Sequence, residues 1–170
     1  MCIRDSFYAT KDLVRYMEAI AIVTKTHPNI RVLILGDGQL RKEIEEKRAE
    51  LQLEGVVSLP GSYKDASKLL KGADLFVLSS AKEGMPWTVL EAMAAGLPCV
   101  ATDVGACKWM LSESGWIVPP KQPEALAKAI NSALDHPDWM AEAGTRARAE
   151  VNIRFREEQM WDDTFKVLIR

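Results

Sequence analysis

The chain has 170 residues, of which 48% are hydrophobic and 27% are charged, as is typical of one globular domain with a substantial core. Its formal net charge of −2 argues against nucleic acid or a membrane surface as a partner, since these select basic proteins. No apolar run reaches the length of a transmembrane helix, and the first six residues lack the apolar core of a signal peptide. The three cysteines suggest no disulfide framework, which favours a reducing, cytoplasmic setting.

Hydrophobic periodicity predicts strands that alternate with helices along the chain. The predicted strands are short apolar runs at residues 31–35, 56–59, 74–79, 99–102 and 115–118. The predicted helices span residues 11–26, 39–52, 65–71, 87–95, 108–111, 123–134, 138–151 and 155–168. This alternation predicts an α/β domain, a doubly wound Rossmann-like parallel sheet with the strand order 3-2-1-4-5-6.

Few residues near the start of the chain are suited to form the first strand of such a sheet. It would lie in the middle, between the strands at residues 31–35 and 75–79, but only Ile3, Phe7 and Tyr8 have strand character. We therefore expect a truncated or poorly formed first strand, and we interpret residues 1–6 as a non-native start. If this segment does not pair, each unpaired buried backbone group costs about 1–3 kcal/mol and the chain should be marginally stable.

Residues 79–96, SSAKEGMPWTVLEAMAAG, are predicted to form a loop and a helix that ends near Gly96. Glu83 precedes this helix, and Glu91 in its second turn should lean back toward the same loop. The unpaired N–H groups of the helix start are a ready anion site. This arrangement suits a ligand with phosphates and hydroxyls, such as a sugar nucleotide. An ordinary loop charge at Glu83 and a solvated Glu91 remain an equal alternative from spacing alone.

The same stretch resembles the E-x7-E signature of retaining glycosyltransferases of family 4. The resemblance rests on EGMP at residues 83–86 and LEAMAAGLP at residues 90–98. It continues in VATDVG at residues 100–105 and GWIVPP at residues 115–120, in the family's order and spacing. It implies the C-terminal half of a GT-B fold, which consists of two Rossmann-like domains.

The resemblance implies that the chain is the donor-binding half of an enzyme of polysaccharide or glycan biosynthesis. Such an enzyme moves a sugar from a nucleotide-diphosphate sugar to a hydroxyl acceptor. Residues 7–154 would bind the nucleotide sugar, and residues 155–170 would form a helix that crosses to a missing N-terminal domain. That domain would hold the acceptor and mediate any peripheral membrane association, so the chain alone should be inactive. A binding module that holds a nucleotide sugar without transferring it is the alternative.

The family's functional residues carry over to specific positions. The proposed catalytic residues are Lys11, which would contact the donor diphosphate, and Glu83, which would contact the donor sugar. Glu91 would accept hydrogen bonds from the ribose. The other candidate donor-binding residues are Gly36, Gly38, Ser62, Gly84, Met85, Pro86, Trp87, Asp103 and Gly105. No metal or other cofactor is expected.

Several of these positions also fit ordinary structural roles. At three other positions the chain departs from the family pattern. The Gly36–Gly38 loop lacks the third glycine of a dinucleotide fingerprint, so it is also interpretable as a tight turn. The turns at Ser62 and Asp103 fit a structural role equally well. The departures are Ser6 in place of an arginine, Ala106 in place of a glycine or polar residue, and Trp109 in place of a glutamate.

Overall fold

The computed structural model describes residues 2–4 and 7–155 of the chain. Its strands are β1 (Cys2–Arg4), β2 (Val32–Leu35), β3 (Val57–Gly61), β4 (Phe76–Leu78), β5 (Cys99–Thr102) and β6 (Gly115–Val118). Its helices are α1 (Leu13–Val23), α2 (Arg41–Glu50), α3 (Ala66–Leu69), α4 (Trp87–Ala94), α5 (Cys107–Leu111), α6 (Pro123–Asp135) and α7 (Pro137–Arg154). The predicted alternation of strands and helices is confirmed.

The strands form one parallel sheet in the order β3-β2-β1-β4-β5-β6, which confirms the predicted topology. The central strand β1 is short, as expected. Its described residues pair with β2 at three positions and with β4 through Cys2 and Phe76. The described residues therefore form a six-stranded sheet with β1 between β2 and β4.

The sheet separates two layers of buried side chains. In β4, Val77 packs with the core residues of α1, α2 and α6. Its neighbours Phe76 and Leu78 pack with those of α4 and α5 on the other face. Successive strand residues point to opposite faces, so a strand buried on both sides needs apolar residues at every position. This requirement explains the continuous apolar runs in the sequence.

The start of α1 and the end of α7 are among the element boundaries that differ from the prediction. α1 begins at Leu13 because Asp12 has a left-handed backbone (φ 51°), and the preceding Ala9–Lys11 form a 3₁₀ turn. α7 continues to Arg154, and Phe155 ends it. The predicted helix at residues 155–168 otherwise lies outside the described residues, as does Ser6.

The helix that follows β4 has well-defined ends. Pro86 is the residue before its first turn rather than within it. At the other end, Gly96 has φ 80° and its N–H donates to the Met93 carbonyl at 2.9 Å. The Leu97 N–H donates to the Ala92 carbonyl at 3.0 Å. These two bonds form a Schellman motif, which confirms Gly96 as the predicted helix stop.

Candidate functional site

The loops that follow the strands lie close together at the carboxyl edge of the sheet, as the sequence predicts. The Gly36 N–H donates to the Gly61 carbonyl at 2.9 Å, which joins the loop after β2 to the end of β3. The Thr102 hydroxyl donates to the Ser80 carbonyl at 2.6 Å, which joins the loops after β5 and β4. Ligands of doubly wound folds bind at this edge. The structure therefore places the candidate residues around one edge.

An ion pair between Lys11 and Glu83 lies at the centre of this edge. Lys11 Nζ is 2.8 Å from Glu83 Oε1, and the two side chains are only 18% and 13% exposed. The residues are 72 positions apart in sequence. Sequence reasoning assigned one residue to the diphosphate and the other to the sugar. It did not predict that they contact each other.

Serine hydroxyls hold both members of this pair. Ser80 Oγ donates to Glu83 Oε1 at 2.7 Å, and Ser79 Oγ donates to the Lys11 carbonyl at 2.9 Å. The turn that carries Lys11 is also tied to the loop after β4, because the Ala81 N–H donates to the Thr10 carbonyl at 2.7 Å. Sequence reasoning missed both serines as supports. The signal was present, since the two serines follow β4 directly and precede Glu83 by four and three positions.

Asp12, next to Lys11, also has a structural role that the sequence did not predict. Its left-handed backbone turns the chain from the 3₁₀ helix into α1, a conformation that Asp tolerates better than most residues. Its carboxylate is 8% exposed and accepts from Arg15 Nη1 at 2.9 Å. The other oxygen, Oδ2, is buried without a hydrogen-bond partner in the described part of the chain. Asp12 therefore helps to fix the direction of the Lys11 turn.

Gly105 packs directly against the backbone of the loop that holds Glu83. A Cβ atom at Gly105 would lie 2.6 Å from the Glu83 carbonyl oxygen and closer still to that of Gly84. The next residue, Ala106, donates its N–H to the Gly84 carbonyl at 2.9 Å. The loop after β5 thus supports the loop after β4. Asp103 lies in this supporting loop, with its side chain exposed.

The glycine loop after β2 is a tight turn around Phe7. A Cβ atom at Gly38 would lie 2.9 Å from the backbone N and O of Phe7. The Phe7 N–H donates to the Asp37 carbonyl at 3.0 Å, and the Leu40 N–H donates to the Phe7 carbonyl at 3.1 Å. The close approach requires glycine at position 38. Gly36–Gly38 therefore form a tight turn at the same edge as the ion pair.

The start of α4 presents its backbone toward this edge. The residue before the helix, Pro86, makes no side-chain hydrogen bond that would cap its first turn. Pro86 is buried, whereas Gly84, Met85 and Trp87 are exposed, and Glu91 in the second turn is half-buried. An uncapped helix start beside a lysine is suited to an anion. Ser62, the remaining candidate, is exposed just after β3.

Two buried thiols lie on the face of the sheet that packs against α4. Burial, together with the neighbouring thiol, raises the pKa of Cys99 far above its ordinary range. Burial also raises the pKa of Cys107 to about 11, and the negative charge of Glu83 adds to the effect. Both thiols therefore remain protonated at neutral pH. They act as small apolar side chains beneath the site.

A groove of about 540 Å³ lies elsewhere, along residues that begin β2, β3 and β4. It is at the amino ends of these strands, away from the ion pair and the helix start. Among the described residues, no group of three or more histidine, cysteine, aspartate or glutamate side chains could hold a metal ion. None of the described helices is long and apolar enough to cross a membrane.

Comparison with known proteins gives consistent matches. Residues 4–150 match the family described as glycosyl transferases group 1. The putative colanic acid biosynthesis glycosyltransferase WcaL of Salmonella typhimurium is 33% identical over 140 residues. That alignment covers 75% of this chain and 34% of WcaL, so the chain spans about a third of this relative.

Solved structures share the fold. HepE of Anabaena, in complex with UDP, has a TM-score of 0.89 at 22% identity, covering 98% of this chain and 48% of HepE. The C-terminal domain of LpcC from Francisella tularensis, a glycosyl transferase group 1 family protein, has a TM-score of 0.82 at 22% identity. It covers 92% of this chain and 85% of that domain. At this identity the likeness concerns the fold, and it supports the prediction of a C-terminal Rossmann-like half.

Proposed function

Since the chain belongs to the glycosyl transferases group 1 family, we propose that it is the donor-binding half of a retaining glycosyltransferase of family 4 with the GT-B architecture. The enzyme would transfer a sugar from a nucleotide-diphosphate sugar to a hydroxyl acceptor. The observation that carries this proposal is the 2.8 Å contact between Lys11 and Glu83 beside the uncapped start of α4. It brings together a cation, a carboxylate and backbone donors at the ligand-binding edge of the sheet.

The chemistry follows from the charge that develops on the leaving diphosphate. Lys11 and the N–H groups at residues 84–87 would stabilise this charge, with no metal or other cofactor. Glu83 would contact the donor sugar, and Glu91 would accept hydrogen bonds from the ribose. The mostly buried position of Lys11 strengthens its electrostatic effect, because water screens it less. The UDP bound to HepE supports a nucleoside diphosphate as the ligand class.

The remaining parts of the enzyme are also proposals. Residues 7–154 would form the donor domain, and residues 155–170 would cross to an N-terminal domain that binds the acceptor. The description of WcaL supports polysaccharide biosynthesis as the process. We place the reaction in the cytoplasm, where free thiols such as Cys99 and Cys107 persist.

The chain is expected to bind nucleoside diphosphates at least about fivefold more tightly than the corresponding monophosphates, because a charge-assisted contact contributes about 1.5–3 kcal/mol before solvent screening. Isothermal titration calorimetry with UDP and UMP, and with the adenine and guanine pairs, measures this ratio. Lys11→Met should abolish the preference. Lys82→Met removes the same charge from an exposed position beside Glu83 and should retain it. Equal affinity of the wild type for each pair would contradict the proposal.

Glu91→Ala is expected to weaken binding of UDP several-fold and to leave binding of inorganic pyrophosphate unchanged, because only the ribose offers hydroxyls to this carboxylate. Calorimetry with the two ligands separates the contributions. Glu124→Ala, an exposed glutamate in the first turn of α6, controls for the loss of one negative charge. Equal losses for both ligands would make Glu91 structural. No change for either ligand would make it a solvated helix-edge residue.

A further inference from the structure

One carboxylate oxygen at the site accepts hydrogen bonds from two protein donors. Glu83 Oε1 accepts from Lys11 Nζ at 2.8 Å and from Ser80 Oγ at 2.7 Å. Both charged side chains are mostly buried. The pair is therefore screened less than a surface ion pair, and a competing anion would have to displace or share an existing partner.

The two members of the pair are anchored separately to the sheet. On the Glu83 side, the Ser80 carbonyl accepts from the Thr102 hydroxyl at 2.6 Å, which ties this loop to β5. On the Lys11 side, the backbone carbonyl accepts from Ser79 Oγ at 2.9 Å. Neither backbone can move far from the other. A ligand phosphate that reaches Lys11 must therefore act within reach of the Glu83 carboxylate.

We propose that Glu83 competes with a bound diphosphate for Lys11, and that it thereby lowers the affinity of the site for nucleoside diphosphates that carry no sugar. This inference rests on the proposed function, in which Lys11 contacts the diphosphate. A lysine ammonium is a compact charge that is attracted to both groups. The carboxylate also repels the phosphate charge at short range. Both effects weaken the binding of a sugar-free ligand.

A donor sugar changes this balance. Its hydroxyl groups can donate hydrogen bonds to Glu83, which replaces the partner that the carboxylate loses when the ammonium turns to phosphate. After transfer the sugar is gone, and the carboxylate again needs Lys11. Glu83 then favours the intact nucleotide sugar over the diphosphate product. It is a specificity-determining residue whose charge promotes product release.

Glu83→Gln tests this inference, because glutamine keeps the size of the side chain and an acceptor oxygen for Ser80 but removes the negative charge. We expect inorganic pyrophosphate and UDP to bind about three- to tenfold more tightly to this variant than to the wild type. Glu124→Gln removes one negative charge from an exposed position in the first turn of α6 and should give a clearly smaller gain. Calorimetry measures all affinities, and thermal unfolding verifies that each variant is folded.

A double-mutant cycle tests whether Lys11 is the cation for which Glu83 and the diphosphate compete. In a Lys11→Met background, Glu83→Gln should no longer increase the affinity by the same factor, since the competition requires the ammonium. An unchanged or lower affinity of Glu83→Gln for both probes would overturn the inference and leave the proposed function intact. A gain equal to that of Glu124→Gln, or one that persists undiminished without Lys11, would also overturn it. If neither probe binds to the wild type or to Glu83→Gln, the anion site of the proposed function itself is wrong.

Discussion

Gly105→Ala is expected to lower the free energy of unfolding by about 2–5 kcal/mol, because two costs add at this position. The backbone of Gly105 has φ 52°, which disfavours residues with a Cβ atom. That atom would also lie 2.6 Å from the Glu83 carbonyl oxygen and overlap that of Gly84. The loop that holds Glu83 must move away to make room, so UDP binding should weaken as well.

Glycines in open surroundings provide matched controls for this substitution. A Cβ atom at Gly84 or at Gly55 would have no atom within 4 Å, and neither residue has a positive φ. Gly84→Ala and Gly55→Ala should therefore change the free energy of unfolding by less than about 1 kcal/mol. Urea unfolding followed by circular dichroism measures all three variants. A Gly105→Ala protein as stable as these controls would show that the two loops are not in contact.

The sequence predicted the fold because its local signals agree with the tertiary structure. The run Leu75–Leu78 is apolar at every position, as a strand buried on both faces requires. Gly96 stops α4 where a left-handed residue is needed. Once strands and helices alternate, few topologies remain, and the common strand order was the correct one.

Local signals also had limits at the boundaries of elements. The left-handed backbone at Asp12 was not predicted, because an aspartate before an apolar periodic run also fits an ordinary helix start. The strand β1 forms in the middle of the sheet although its sequence has little strand character. Pairing with β2 at three positions supports it there, so tertiary context overrides its weak propensity.

The candidate site was predictable as a region but not as a set of contacts. Parallel strands send their carboxyl ends to one edge, so the loops after β2, β3, β4 and β5 had to converge. The contact between Lys11 and Glu83 depends instead on the register of the sheet and on the course of two loops. Residues 72 positions apart do not reveal by their spacing either the sheet register or the course of the loops. The close packing of Gly38 on Phe7 is of the same kind, since it depends on how two segments 31 positions apart meet in the folded chain.

Between pH 9 and 11, the two buried thiols are expected to remove about 4 kcal/mol from the free energy of unfolding. Burial raises the pKa of Cys107 from an ordinary 9.0 to about 11, and it raises the pKa of Cys99 further. In the unfolded chain both thiols lose their protons near pH 9, whereas in the folded chain they keep them. The unfolded state then binds fewer protons, so stability falls as the pH rises through this window and is fully present below it.

The variant Cys99→Ala/Cys107→Ala isolates this effect, because every other titratable group is the same in both proteins. Its stability at pH 7 should be lower, since each truncation leaves a small cavity and removes the contact of the Cys99 thiol with the Leu97 carbonyl. Its stability should nevertheless fall less steeply with pH, by about 1.4 kcal/mol per pH unit for each missing thiol. Urea unfolding in reducing buffer at half-unit steps from pH 7 to pH 11 gives both slopes. Parallel curves would show that the thiols ionise equally in the folded and unfolded chains, and hence that Cys99 and Cys107 are not enclosed in the layer beneath Glu83.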